Sequence, residues 1–216
     1  MKRHKATPTK FIITILFITC FNSLHSQEDF NRLGEGTHIF SASFQYKELP
    51  GEWSINYLGI SLESYLGEKV SVSGSVFYGA GSDSISYIHF PIGGLIILSV
   101  LTGSVRSLLF SPDPILWKLL YTENVHYNIQ IGEDMIISPS VSLLGFNAGF
   151  YNFSESQEPD VILTNGIGLN FKALPSERTV ISTNVSLKHF LKSNNLSSEF
   201  NDQLGFTVNF QMGIVL

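Results

Sequence analysis

The sequence predicts an all-β chain, an eight-stranded antiparallel up-and-down β-barrel that crosses a membrane, with a helical insert between the third and fourth strands. Three observations carry this reading. The last fourteen residues, Gln203–Leu216, alternate almost without fault. Leu204, Phe206, Val208, Phe210, Met212, Ile214 and Leu216 form one set, and Gln203, Gly205, Thr207, Asn209, Gln211, Gly213 and Val215 form the other. Successive side chains of a strand point to opposite faces, so one face is apolar and the other small or polar. Charged residues make up only 14% of the chain against 44% hydrophobic ones. Soluble domains carry roughly 25% charge, so part of this surface is not built for water. The chain also opens on an export signal.

That signal has three parts. Lys2, Arg3, Lys5 and Lys10 precede the apolar run Phe11–Phe21, and Leu24-His25-Ser26 supplies a small residue before Gln27. This is the pattern of a secretory signal peptide over residues 1–26. The apolar run is too short for a helix across a hydrocarbon core of roughly 30 Å. Cys20 lacks the lipoprotein context, since Thr19 stands where a small residue is wanted and Phe17 where Leu is usual. The remaining residues, 27–216, suit one domain. They carry nine Lys+Arg against 18 Asp+Glu, a net charge of −9, and no cysteine. Disulfides and thiolate metal sites are thereby excluded. An acidic chain without a basic patch argues against nucleic-acid binding.

Seven further segments alternate. Thr37–Tyr46 sets Phe40, Ala42, Phe44 and Tyr46 against Ile39, Ser41, Ser43 and Gln45. Ser54–Leu66 sets Leu58, Ile60 and Leu62 against Gly59, Ser61 and Glu63. Val70–Ala80, Asn124–Ile131, Met135–Phe146, Val161–Phe171 and Thr179–Phe190 follow the same rule. In Met135–Phe146, Pro139 cannot donate to a ladder and Leu143-Leu144 breaks the phase, so a bulge is expected there. The links after the second, fourth and sixth strands are short, and those after the first, third, fifth and seventh are mostly longer. Short turns at one end and longer loops at the other are the habit of outer-membrane barrels.

In hydrocarbon an open sheet edge leaves backbone groups unsatisfied, so the sheet must close on itself. Eight strands enclose an interior that side chains just fill. The inward set is rich in Ser and Gly, with Glu63, His126, Lys188 and Gln211 as its notable polar members. This leaves room for some water but not for an open pore.

The stretch 87–121 differs in character. Ser99, Thr102, Gly103 and Arg106 recur at helical spacing on an otherwise apolar run, Pro91 is placed to start a helix, and Ser111-Pro112-Asp113-Pro114 to end it. A helical lid, plug or interfacial element is expected there.

The whole 27–216 segment resembles small OmpA/OmpX-type outer-membrane barrels, and the resemblance rests on pattern rather than on a residue motif. It implies outer-membrane location, outer-membrane lipid as the surrounding medium, both termini in the periplasm, and a monomer. It also implies that Phe206, Phe210, Met212 and Leu216 form the C-terminal assembly strand read by the barrel-insertion machinery, although such strands usually end in Phe and this one ends in Leu216. The expected role is structural or surface-interacting. The alternative is a narrow conduit or carrier for a small apolar molecule, gated by the helical insert.

Enzymatic and cofactor chemistry finds little footing. The histidines after residue 26 are His38, His89, His126 and His189, with no close metal-ligand spacing, nucleophile elbow or phosphate loop. No catalytic, cofactor or metal residues are therefore assigned. Barrel deacylases carry a His-x-Ser pair, whereas His126 is followed by Tyr127 and Asn128. A loop trio of His89, Asp83 and Ser84, like that of the palmitoyltransferase barrels, is no more than any loop supplies.

If the apolar set faces lipid, the folded protein should resist SDS until boiled and migrate faster when unboiled. Release as a soluble monomer without detergent would sink the membrane-barrel reading.

Overall fold

The computed structural model describes residues 33–49, 53–81, 85–94, 96, 99, 118, 120–150, 160–193 and 201–216. The expected export signal and Cys20 lie outside them. The strands are β1 (His38–Leu49), β2 (Trp53–Tyr65), β3 (Val70–Gly81), β4 (Ser86–Pro91), β5 (Asn124–Tyr127), β6 (Ile129–Gln130), β7 (Met135–Phe150), β8 (Asp160–Ser176), β9 (Thr179–Ser193) and β10 (Asn201–Val215). All pairings are antiparallel. The terminal strand closes the sheet. β10 pairs with β1 from Ile39↔Val215 to Glu48↔Phe206 and with β9 on its other side. β4, β5 and β6 share one position between β3 and β7, so ten strand segments make eight staves.

Faces segregate as alternation demands. Leu58, Tyr78, Ile167, Met212 and Leu216 point outward and are each at least 60% exposed. Ser41, Ser61, Ser75, Ser140 and Asn209 point inward and are buried. An exposed apolar band of this extent makes sense only where the surrounding medium is lipid.

The fourth stave corrects the expected helical insert. Tyr87–Pro91, read as the start of that insert, belongs to strand β4, paired with β3 (Phe77↔His89) and β7 (Phe90↔Phe146). The interruption therefore falls inside the fourth stave, not between the third and fourth strands. Helical backbone occurs only at scattered described positions (Gly93, Gly94, Ile96, Ser99, Lys118 and Leu120), so no continuous helix stands among the described residues, and none of them forms a helix fit to cross a membrane. Arg106 and the rest of the polar stripe beyond Ser99 lie outside the described residues. Tyr87, Ile88, His89 and Phe90 alternate over too few residues to stand out along the chain, and only pairing with β3 and β7 makes them a strand.

The wall stays sealed across the interruption. Ile92 N–H bonds to Leu144 C=O (3.1 Å), Gly94 N–H to Thr122 C=O (2.8 Å), Glu123 N–H to Ser73 C=O (2.8 Å) and Leu143 N–H to Glu123 C=O (2.6 Å). The register of β7 with β8 shifts between Ser142 and Gly145, the region where Leu143-Leu144 breaks phase. That bulge is where β7 exchanges β5 for β4 as its partner. Pro139 needs no bulge. The register His126↔Ser140 and Ile129↔Ile137 sets it opposite Tyr127, beside the gap between β5 and β6, where a missing donor costs little.

Two outward positions escape the lipid-facing rule. Ser64 and Val72, paired across β2 and β3, are at most 2% exposed. Tyr121 lies against this patch: its hydroxyl meets Ser64 Oγ at 2.6 Å, and Ser64 Oγ also meets His38 Nδ1 at 2.6 Å. A Cβ on neighbouring Gly74 would stand 1.9 Å from the Tyr121 carbonyl oxygen, so only glycine admits the chain here. Tyr121 thus lies on the outer side of the wall, and three polar groups on that side satisfy one another.

Ile167 sits on the lipid face near the middle of β8. Ile167→Arg should cost about 2–4 kcal/mol of stability in bilayers, measured by urea titration of vesicle-inserted protein; a neutral effect would mean that this face does not meet lipid.

The charged lumen as candidate functional site

Apolar side chains close the lumen at both ends. At the end where β1 begins and β10 finishes, Ile39, Tyr65, Ile136, Leu174 and Val180 pack together, with Leu33 and Val215 against them. At the other end Ile55, Tyr57, Phe77, Ile85, Tyr87, Ile162 and Phe190 form a second cluster. Between them lie two ionic groups.

The first is built on Glu123, the residue just before β5. Glu123 Oε1 accepts from Lys188 Nζ (3.0 Å), and Oε2 lies 2.9 Å from His89 Nε2. His89 Nδ1 lies 2.9 Å from Asn147 Oδ1, which also accepts from Lys47 Nζ (2.9 Å) and Tyr57 OH (3.0 Å). Asn147 in turn donates to the Ile162 carbonyl (3.0 Å), which fixes its amide orientation. Lys47 stands 4.7 Å from the centre of the Tyr57 ring, a cation–π contact in a dry setting. A Cβ at Gly145 would come within 2.6 Å of the His89 ring and 2.7 Å of Thr164 Oγ1. The glycine that follows the bulge thus makes space for this group.

The second is built on Glu63 in β2. Its Oε1 accepts from both Lys172 Nζ and Ser71 Oγ. Lys172 also donates to Asn128 Oδ1 (3.0 Å) and Tyr65 OH (3.1 Å). Asn128 reaches Ser71, and Ser138 donates to Asn128. Between the two groups, His126 Nε2 meets Ser73 Oγ at 2.8 Å. A carboxylate taken out of water without a partner is very costly, so each acid here is held by a cation and by neutral donors.

Of the residues singled out from sequence, Glu63, His126 and Lys188 are buried in the lumen, each at most 8% exposed. Gln211 also faces inward and accepts from Ser182 Oγ (3.0 Å). Phe206, Met212 and Leu216 are exposed on the outer face, and Phe210 is half-buried there. Lys47, Lys172, His89 and Glu123 were missed. Lys47 and Lys172 read as loop residues because charge suggests solvent, yet each continues the inward parity of its strand past Gln45 and Asn170. His89 and Glu123 lay within or beside the expected insert. His89 faces the lumen rather than an outer loop, while Asp83 and Ser84 lie outside the described residues. Among the described residues no group of three or more His, Cys, Asp or Glu is placed to hold a metal ion.

The closed eight-stave wall, apolar outside and polar within, defines the class as a β-barrel of the small outer-membrane kind. No family model matches the chain, and no curated protein sequence does. Among solved structures it is similar to the N-terminal barrel of Pseudomonas aeruginosa OprF, at 12% identity over 85% of this chain and 99% of that one, with a TM-score of 0.47. It is similar to OprG of the same organism (10%, 87% and 98%, 0.44) and to Ail, the attachment invasion locus protein of Yersinia pestis (14%, 84% and 99%, 0.43). Likeness at this level carries no activity across.

Removing one member of a buried pair strands the other. Glu63→Leu should cost about 3–5 kcal/mol, whereas Glu63→Leu with Lys172→Met should recover most of that loss. Urea unfolding in vesicles, followed by heat-shifted mobility, measures both; equal losses would show that the pair carries no such constraint.

Proposed function

We propose that this chain is an outer-membrane β-barrel protein with a structural or surface-interaction role, surrounded by outer-membrane lipid as a monomer and inserted through its C-terminal strand by the barrel-insertion machinery. One observation carries the role: side chains occupy the lumen and leave a polar cavity of only about 20 Å³ among the ionic groups. Apolar clusters stop both ends, and the ionic groups between them engage every charged side chain named above. Nothing in that interior favours a transported molecule over the side chains already there. The work of such a barrel falls to its outer wall and its loops.

Planar-bilayer recording tests the reading. Purified, refolded protein should give no steady unitary conductance. Reproducible channels would overturn it in favour of a conduit.

A further inference from the structure

Both limbs of the interruption in the fourth stave stand on the outer side of the wall. Ser142 and Gly145 of β7 face the lumen, so Leu143 and Leu144 between them lie on the outer side of the bulge. A Cβ at Gly93 would stand 2.5 Å from Leu143 Cβ, which sets the outgoing limb flush against that bulge. Ile96 N–H bonds to Ile92 C=O (3.0 Å), and the Ile96 side chain is exposed. The returning limb presses Tyr121 on Gly74, the outward residue opposite Leu62. The limbs meet where Gly94 N–H bonds to Thr122 C=O, so the chain leaves and returns at one point.

The cover at that point is local. Val72 is 2% exposed, whereas Val70 and Val76, on the same face of β3, are 37% and 41% exposed. The returning limb also has a direction. Glu123 bonds at the level of Ser73, while Tyr121 reaches Ser64 and, through it, His38, the first residue of β1. It therefore approaches along the half of the wall next to the β2–β3 turn, on the lipid side. Between the limbs, residues 100–117 carry only Arg106 and Asp113 as charges, and Leu101, Leu108, Leu109, Phe110, Leu116 and Trp117 are among their apolar members. Three media are open to them. The lumen lies behind a wall that is sealed here, and the ionic groups already occupy it. Water would meet an apolar patch of a size that soluble surfaces avoid. The lipid side offers an apolar wall with a glycine at which backbones can approach closely.

We propose that the outer wall around Leu62, Val72 and Gly74 is an intramembrane docking surface for this chain's own residues 100–117, which lie in the acyl layer of the leaflet nearest the β2–β3 turn. That stretch of wall then faces protein instead of lipid, and the barrel is broadened on one flank only. The proposal rests on the membrane-barrel reading and goes beyond it by naming what covers this flank.

Fluorescence of Trp117 tests this. Trp53→Phe leaves Trp117 as the single tryptophan of the chain. Refolded into vesicles of phosphatidylcholine brominated along the acyl chains, this variant should lose most of its emission, while aqueous acrylamide should remove little. In a Cys20→Ser background, a nitroxide on Leu62→Cys should quench Trp117 strongly, and one on Ile167→Cys, across the barrel, should not. Val76→Cys replaces Leu62→Cys if that variant lacks the heat-shifted folded form. Dilution with unlabelled Trp117→Phe protein should leave the quenching unchanged. Quenching by acrylamide but not by bromine would put the residues in water. Bromine quenching without preference for the Leu62 label would put them in lipid away from the wall, and quenching lost on dilution would make the occupant a second copy. Each of these outcomes overturns the proposal, whereas absence of the heat-shifted form in the unaltered protein would instead overturn the barrel reading.

Discussion

Backbone hydrogen bonding in a medium without water is the constraint on which the rest depends. A sheet edge in hydrocarbon leaves a row of amide and carbonyl groups with no partner, at several kcal/mol each. The β1–β10 ladder removes that edge, and the strict alternation of β10 is its counterpart in side chains. A slip of one residue would turn Phe206 and Met212 into the lumen and Asn209 toward lipid. Closure and register are thus a single requirement.

The interrupted fourth stave shows how firmly the requirement holds. A segment of some thirty residues parts β4 from β5, yet the wall does not open, because the groups at its two ends bond to β3, to β7 and to each other. The β7 bulge supplies the local slack, and Gly74 and Gly145 supply space on the outer and inner sides. Glu123 stands at the point of re-entry and binds His89 of β4, so the same ionic group that fills the lumen ties together the halves of the broken stave. Architecture and electrostatics meet in that residue.

Closure also creates the interior that the charges occupy. Eight staves enclose too little space for bulk water, so Lys47, Lys172 and Lys188 cannot be solvated as surface lysines are. They are held by carboxylates, amides, hydroxyls and aromatic faces drawn from opposite sides of the barrel. Such groups contribute little net stability against an apolar filling of the same shape. Their effect is to demand one arrangement: the pairs Glu63–Lys172 and Glu123–Lys188 form only if the staves that bear them are in register.

Much of this was legible in the sequence, because a period of two is a local property. Eight alternating segments, the inward positions of Glu63, His126 and Lys188, and the break of phase at Leu143-Leu144 follow from counting along the chain. What counting could not reach was any partnership made across the barrel. Tyr87–Pro91 is too short to declare itself a strand and becomes one only between β3 and β7. Lys47 and Lys172 look like loop residues until Asn147 and Glu63, on facing walls, give their charges somewhere to go. By itself the sequence determined which face of each strand is apolar, since that depends only on side-chain order. Only the tertiary structure decided which buried charges meet, because those contacts depend on how eight staves are staggered around a closed ring.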